Sequence, residues 1–277
     1  MSNKQDHALA LALATTAGCL AGAAGMYLFG RRRISNFSSI MRLEGKKSLQ
    51  PNWQSPQTQH PPHATNGTCA SIISLKPVDL KSPYSFGVSA VTPRPIALVS
   101  TVSLGGVPNL APFSYFGLMG HDPLTLAFAP CAGREGKDKD TLANIKANGE
   151  CVIHIISDWF IESANYTSGN FDPEVDEFEV AGFTSLPSLF VAPPRVAESA
   201  IQLECRLKKQ VPIKNADGKT TSTICVCEVV MVHMHEDVLD ERSGTIKPEK
   251  LRTVSRLGGN TYGQTREMFD LSRPKVD

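Results

Sequence analysis

Lys139-Asp140-Thr141-Leu142-Ala143-Asn144-Ile145-Lys146-Ala147-Asn148-Gly149 sets a cation and a hydroxyl at the start of a stretch with helical character. Asp140 or Thr141 caps the start, and Gly149 ends it. The first turn of a helix has unpaired N–H groups and the positive end of the dipole, so it favours an anion. Lys139 supplies a charge there, and Arg134 and Lys137 lie in the preceding loop. A phosphate suits the cluster; a capped helix beside a solvated loop has the same residues. Ser100, Thr101, Asn109 and Ser114 are polar groups inside apolar strand runs. Buried hydroxyls and amides need partners, which are either internal or belong to a polar ligand laid over the sheet.

Other constellations are weaker. Cys225, Cys227, His233 and His235 share parity on one expected strand. Cys227 and His233 are roughly 20 Å apart at about 3.3 Å per residue, too far to share one zinc, so no metal site is assigned. There is no CxxC, HExxH, GxGxxG or GxxxxGK[ST], so no zinc ribbon, metalloprotease, Rossmann or P-loop site is supported. No Ser-His-Asp or Cys-His set can be assembled from spacing, and the catalytic residues are left unassigned.

Strands must position these groups. Ile96–Val102 is a short β-branched run, Leu104-Gly105-Gly106-Val107 a hairpin signal, and Asn109–Leu118 the returning strand, where Pro112 points to an edge or bulge. Leu124–Ala129 and Cys151–Ile156 are further strands, and Asp158–Tyr166 is a short helix. Residues 170–194 form a proline-punctuated excursion. Ala200–Gln210 and Thr221–His235 are long strands joined by the turn Asn215-Ala216-Asp217-Gly218. Strands outnumber helices without regular βαβ alternation, which favours a closed antiparallel barrel with outer helices over a doubly wound sheet.

The chain has 277 residues, of which 41% are hydrophobic, enough for a core. Its net charge of +1 is uneven: residues 1–75 carry seven Lys/Arg against two acids, and the remainder carries 21 against 25. An acidic body argues against nucleic-acid binding. Seven cysteines, an odd number, fit free thiols in a reducing compartment. Ala8–Gly30 is uncharged throughout and is followed by Arg31-Arg32-Arg33. Residues 1–34 are therefore expected to be a single-pass membrane anchor, with the body facing the cytosol. A cleaved secretory signal and a mitochondrial address are the alternatives. Residues 35–75, with four prolines between positions 51 and 62, are expected to be a disordered linker, and 76–277 the working domain.

Five stretches in order resemble the flavin-reductase-like, FMN-binding split-barrel family: Thr92–Thr101, Asn109–Phe116, Lys139–Ile145, Pro193–Ser199 with Leu203–Cys205, and Arg256–Tyr262. The resemblance covers about residues 82–273. It implies a six-stranded antiparallel Greek-key split β-barrel with peripheral helices, in a homodimer with non-covalent FMN at the subunit interface. It implies that Val99, Ser100 and Thr101 of one strand, with Asn109, Ala111, Phe113 and Tyr115 of the next, flank the isoalloxazine. By the same resemblance Ser114, Lys139 and Thr141 are expected nearest the phosphate, and Arg94, Arg256 and Tyr262 are expected to close the pocket. The implied activity is hydride transfer from NAD(P)H to FMN, with reoxidation by oxygen or another small-molecule acceptor. A tethered FMN electron relay without its own NAD(P)H oxidase activity and a flavin-dependent oxygenase are the rival readings. One position departs from the pattern: His154 stands where similar sequences carry asparagine, and a histidine beside a flavin can act on protons.

Overall fold

The computed structural model describes residues 41–42, 54, 73–133 and 136–274. Two compact units divide the chain, Met1–Met41 and Arg42–Asp277; the main sheet and its helices belong to the second. The expected anchor and most of the expected linker lie outside the described residues, as does Arg134. Among the described residues no helix is long and apolar enough to cross a membrane.

The architecture is mainly antiparallel β. Helix α1 (Pro83–Ala90) comes first, then a short strand, Arg94–Pro95. Strands β1 (Ala97–Val102), β2 (Pro108–Phe113), β3 (Phe116–His121) and β4 (Leu124–Phe128) follow. Helix α2 (Asp140–Asn148), strand β5 (Glu150–Ile155), and helices α3 (Ile161–Tyr166) and α4 (Glu177–Ala181) come next. Two long strands, β6 (Ile201–Lys214) and β7 (Thr220–Met234), precede β8 (Val254–Gly258) and β9 (Thr261–Gln264).

Seven strands form the main sheet in the order β2-β1-β5-β6-β7-β4-β3, every neighbour antiparallel. The count exceeds the expected six because the run read as one strand, Asn109–Leu118, breaks at Ser114-Tyr115. This break shapes the fold. Strands β2 and β3 occupy opposite edges of the sheet, yet only two residues join them, so the sheet must roll around on itself. No ladder joins β2 to β3, which leaves the barrel split along that seam. Tyr115 is held there by Ala129 N, which donates to its carbonyl at 2.8 Å.

Period-two alternation sorts β1 between two cores. Ala97 and Val99 point into the barrel with Ile153, Cys205, Cys227 and Phe128. Leu98, with neighbouring Ile96, packs outward against Ile156, Phe160 and Phe178 beneath the small helices. Both faces are covered, so β1 is buried along nearly its whole length.

Helix α2 is pinned to the β1–β2 hairpin along its length. Leu142 and Ile145 enter the barrel core. Asn144 Nδ2 donates to Thr101 Oγ1 at 3.1 Å, and Asn148 Nδ2 to the Val102 carbonyl at 2.8 Å. Gly149 stops the helix at φ 74°, a left-handed conformation that glycine adopts without penalty. The cap position falls on Lys139 rather than on Asp140 or Thr141, and no side chain caps it.

Candidate functional site

A cleft of about 180 Å³ opens at the seam between β2 and β3. The break itself supplies Phe113, Ser114 and Tyr115, while Arg94, Lys139 and Arg256 bring charge from three other elements. These are six of the residues expected at a ligand site, drawn from positions 94 to 256.

Arg94 and Arg256 are held in place without being neutralised. Arg94 is buried, and its NH1 donates to the Val88 carbonyl and, at 2.8 Å, to that of Val91; its Nε is 3.4 Å from Ser114 Oγ. These bonds fasten the end of α1 over the cleft. A close approach does the same from the other side: a Cβ at Gly258, whose φ is +112°, would lie 3.0 Å from Ser89 Cα. Arg256 NH2 donates to the Gly259 carbonyl at 2.6 Å, and its guanidinium stands 4.5 Å from the Tyr262 ring centroid. Lys139 sits where α2 begins. Its neighbour Asp138 pairs with Lys146 at 2.6 Å instead.

Among the described residues none of Arg94, Lys139 and Arg256 has a carboxylate partner, whereas Lys146, Arg206, Lys208 and Arg252 all have one. Around a small cleft this is a positive field awaiting an anion. The N–H groups of Asp140 and Thr141, in the first turn of α2, add donors that no intrahelical carbonyl can meet.

Tyr115 and Cys131, a phenol and a thiol at the cleft, both have their pKa raised. Burial raises the Tyr115 hydroxyl, and Cys131 and Tyr84 nearby raise it further, against a smaller opposing pull from Arg94. Burial also raises the Cys131 thiol, more than Lys139 lowers it. The site therefore offers donors and cations and lacks a thiolate nucleophile.

Several expected site residues lie elsewhere. Val99 is a core residue. Ser100 Oγ donates to the Pro194 carbonyl at 2.5 Å. Thr101, Asn109 and Thr141 are buried and bonded to one another: Asn109 Nδ2 donates to Thr101 Oγ1 at 3.1 Å and to Thr141 Oγ1 at 2.9 Å. The Thr141 hydroxyl thus faces the hairpin, and the corner presents Lys139 and backbone amides to a ligand. Ala111 lies half-buried in β2, away from the cleft lining. Tyr262 stands behind Arg256, lining a different cavity.

His154 does not line the seam cleft. Its Nδ1 donates to the Leu98 carbonyl at 2.9 Å and its Nε2 accepts from Val196 N at 2.9 Å, which fixes the neutral tautomer. Burial lowers its pKa to about 4. It staples the 193–199 segment to the sheet and reaches no cleft. Cys225 and Cys227 pack in the barrel core, burial pushing the Cys225 thiol up to about 12. His233 Nε2 lies 2.7 Å from Glu204 Oε1.

Six cleft residues were not among the expected site residues: Pro112, Ala129, Cys131 and Gly259, and on α1 Tyr84 and Val88. For α1 the signal was present: Ser82 Oγ accepts from Ser85 N at 3.1 Å, and Pro83 follows it at the first helical position.

Residues 89–253 match the flavin reductase like domain, more than half of the chain. The chain belongs to the flavin reductase-like family. A relative in Halalkalibacterium halodurans is 38% identical over 196 residues, covering 71% of this chain and 93% of that protein. Among solved structures, nitrilotriacetate monooxygenase component B from Bacillus cereus superposes with a TM-score of 0.69 at 30% identity, covering 73% of this chain and 99% of that one. The 2-nitrobenzoate 2-nitroreductase of Pseudomonas fluorescens superposes at 0.64 with 28% identity, covering 73% and 96%.

Family membership makes this a flavoprotein oxidoreductase domain with a flavin as cofactor. The cleft fits such a group. Its cations match an anionic tail, while Phe113, Pro112 and Val88 give apolar surface to a flat ring system.

Proposed function

We propose that the protein is an FMN-dependent oxidoreductase that takes hydride from NAD(P)H and passes electrons to oxygen or another small-molecule acceptor. One observation carries this reading: among the described residues, three cations without carboxylate partners line the cleft at the barrel seam. A flavin mononucleotide ends in a phosphate dianion, and a helix start beside a lysine is the kind of site that holds one.

Lys139 and the amides of Asp140 and Thr141 bind the phosphate. Ser114 donates a further hydrogen bond, and Arg94 keeps that serine and helix α1 in register. Phe113 and Tyr115 flank the ring system and exclude water from it. Arg256 closes the opposite rim. When bound, the flavin supplies the redox chemistry itself, accepting hydride from the nicotinamide. No side-chain acid or base needs to move a proton in that step, in keeping with a cleft whose Tyr115 and Cys131 remain protonated.

A second copy of the chain completes the pocket in this reading. A cleft of about 180 Å³ falls short of the roughly 300–1,000 Å³ of ordinary small-molecule sites. Strand β3, at the sheet edge beside the cleft, leaves Leu118 and Met119 more than half exposed, apolar surface that a homodimer would cover. The apolar segment Ala8–Gly30 and the following arginines support tethering to a membrane with the body on the cytosolic side.

Anaerobic rapid mixing tests the activity. The FMN-loaded protein should bleach near 450 nm when NADH or NADPH is added and recover on admission of air. A bound flavin that neither nucleotide reduces would leave the electron-relay reading in its place.

A further inference from the structure

Away from the cleft, residues 187–193 lie against strands β5 and β6 and turn two large apolar side chains to solvent. Leu189 is 68% exposed and Phe190 51%, while the next residue, Val191, is turned inward at 9%. Single exposed apolar residues are ordinary on a protein surface. This adjacent pair differs because the backbone beneath it is clamped.

Glu204 makes the clamp. It alternates along β6 with Leu203 and Cys205, which enter the barrel core, so its side chain leaves by the outer face. The carboxylate is buried and holds two successive amides: Oε1 accepts from Leu189 N at 2.8 Å and Oε2 from Phe190 N at 2.6 Å. His233 Nε2 lies 2.7 Å from the same Oε1. Glu150 Oε2 accepts from Ala192 N at 2.8 Å, and Ser188 Oγ donates to the Pro193 carbonyl at 2.6 Å. Burying a charge is costly unless it is well hydrogen-bonded, and here the bonds fix the chain directly under Leu189 and Phe190. The apolar tip is built into the fold.

Its rim is cationic. Arg206 NH2 donates to the Phe190 carbonyl at 3.1 Å, and Arg195 Nε and NH2 donate to the Pro187 carbonyl at 3.1 and 3.0 Å. Arg206 keeps 55% of its side chain exposed, with Glu150 Oε1 3.7 Å from its Nε. Arg195 has no carboxylate partner among the described residues. Apolar side chains projecting past guanidinium groups match a bilayer surface, where acyl chains take the first and anionic headgroups the second.

We propose that the Leu189–Phe190 tip docks into the surface of a lipid bilayer and seats the body on the membrane to which residues 1–34 tether it. The inference rests on that tether. Two side chains make a weak contact, and stable attachment takes two signals; the tether holds the tip at high effective concentration beside the lipid. No residue of the tip lines the flavin cleft, so docking and flavin binding can be measured separately.

The test uses the full-length chain, reconstituted from detergent into vesicles of equal parts phosphatidylcholine and phosphatidylserine that carry bromine on their acyl chains. Flotation with the vesicles reports the tether. Quenching of the tryptophan added by Phe190→Trp, after subtraction of the wild-type signal, reports the tip. Both chains should float and the added tryptophan should be quenched. Adding Leu189→Asp should lower the ratio of docked to undocked tip at least about tenfold and leave flotation unchanged. Flotation without quenching, or quenching indifferent to Leu189→Asp, would overturn the docking and leave the tether standing. An added tryptophan shielded from aqueous iodide yet unquenched by the lipid would assign the tip to a protein partner and overturn the docking too. A wild-type chain that does not float refutes the tether, and the docking falls with it.

Discussion

The side-chain amide of Asn109 donates to the Thr141 hydroxyl at 2.9 Å and to the Thr101 hydroxyl at 3.1 Å, so one residue of strand β2 ties helix α2 to the hairpin beneath it. All three residues are buried. The helix start reaches the cleft because this network sets where α2 begins. Replacing Asn109 with alanine leaves the buried Thr141 hydroxyl without this donor and Thr101 with only that of Asn144, and stability should fall by about 1–3 kcal/mol. Urea unfolding checks this as a lower midpoint with an unchanged slope.

Lys139→Glu reverses the charge beside the first turn of α2 without disturbing the core, since the residue has no side-chain capping role. FMN affinity should drop at least about tenfold, near 1.4 kcal/mol or more, while riboflavin, which has no phosphate, should bind much as before. Flavin fluorescence titration separates the two.

Tyr262 acts through Arg256. Tyr262→Leu removes the ring on which the guanidinium rests, an interaction of roughly 0.5–1 kcal/mol at exposed sites. The FMN dissociation constant, read by flavin fluorescence, should rise a few-fold, and Tyr262→Phe, which keeps the ring, should restore most of the loss.

His154 makes the fold pH-sensitive. Its pKa is about 4 in the folded chain, against about 6.5 when unfolded. Unfolded chains therefore bind the extra proton between these values. The stability that neutral His154 contributes is complete above about pH 6.5 and is lost as pH falls toward 4, by roughly 3 kcal/mol in all. Thermal unfolding between pH 7.5 and 4.5 should show this fall, and His154→Asn should flatten it.

Much of the architecture was legible locally. The β1 run, the hairpin at Leu104–Val107, helix α2 with its Gly149 stop, and the long β6–β7 pair each carry their own signal of apolar alternation or turn chemistry. The break at Ser114-Tyr115 was not legible, because both halves of that run are strand-like and only long-range pairing sends them to opposite edges.

The site divides along the same line. Lys139 stood out as a charge at a recognisable helix start, whereas Arg94 came only with the family resemblance. Thr101, Asn109 and Thr141 have the residue types of a ligand site as well, and sequence holds no record of which hydroxyl faces its neighbour and which faces a cleft. The Arg256–Tyr262 contact depends on register in a small separate sheet, where those two residues are directly opposed.

The central claim is that the seam cleft holds a flavin by its phosphate. Equilibrium dialysis of the full-length protein against FMN and against riboflavin tests it most directly. The account predicts that FMN is retained at least about tenfold more tightly; equal retention of the two flavins, or retention of neither, would contradict it.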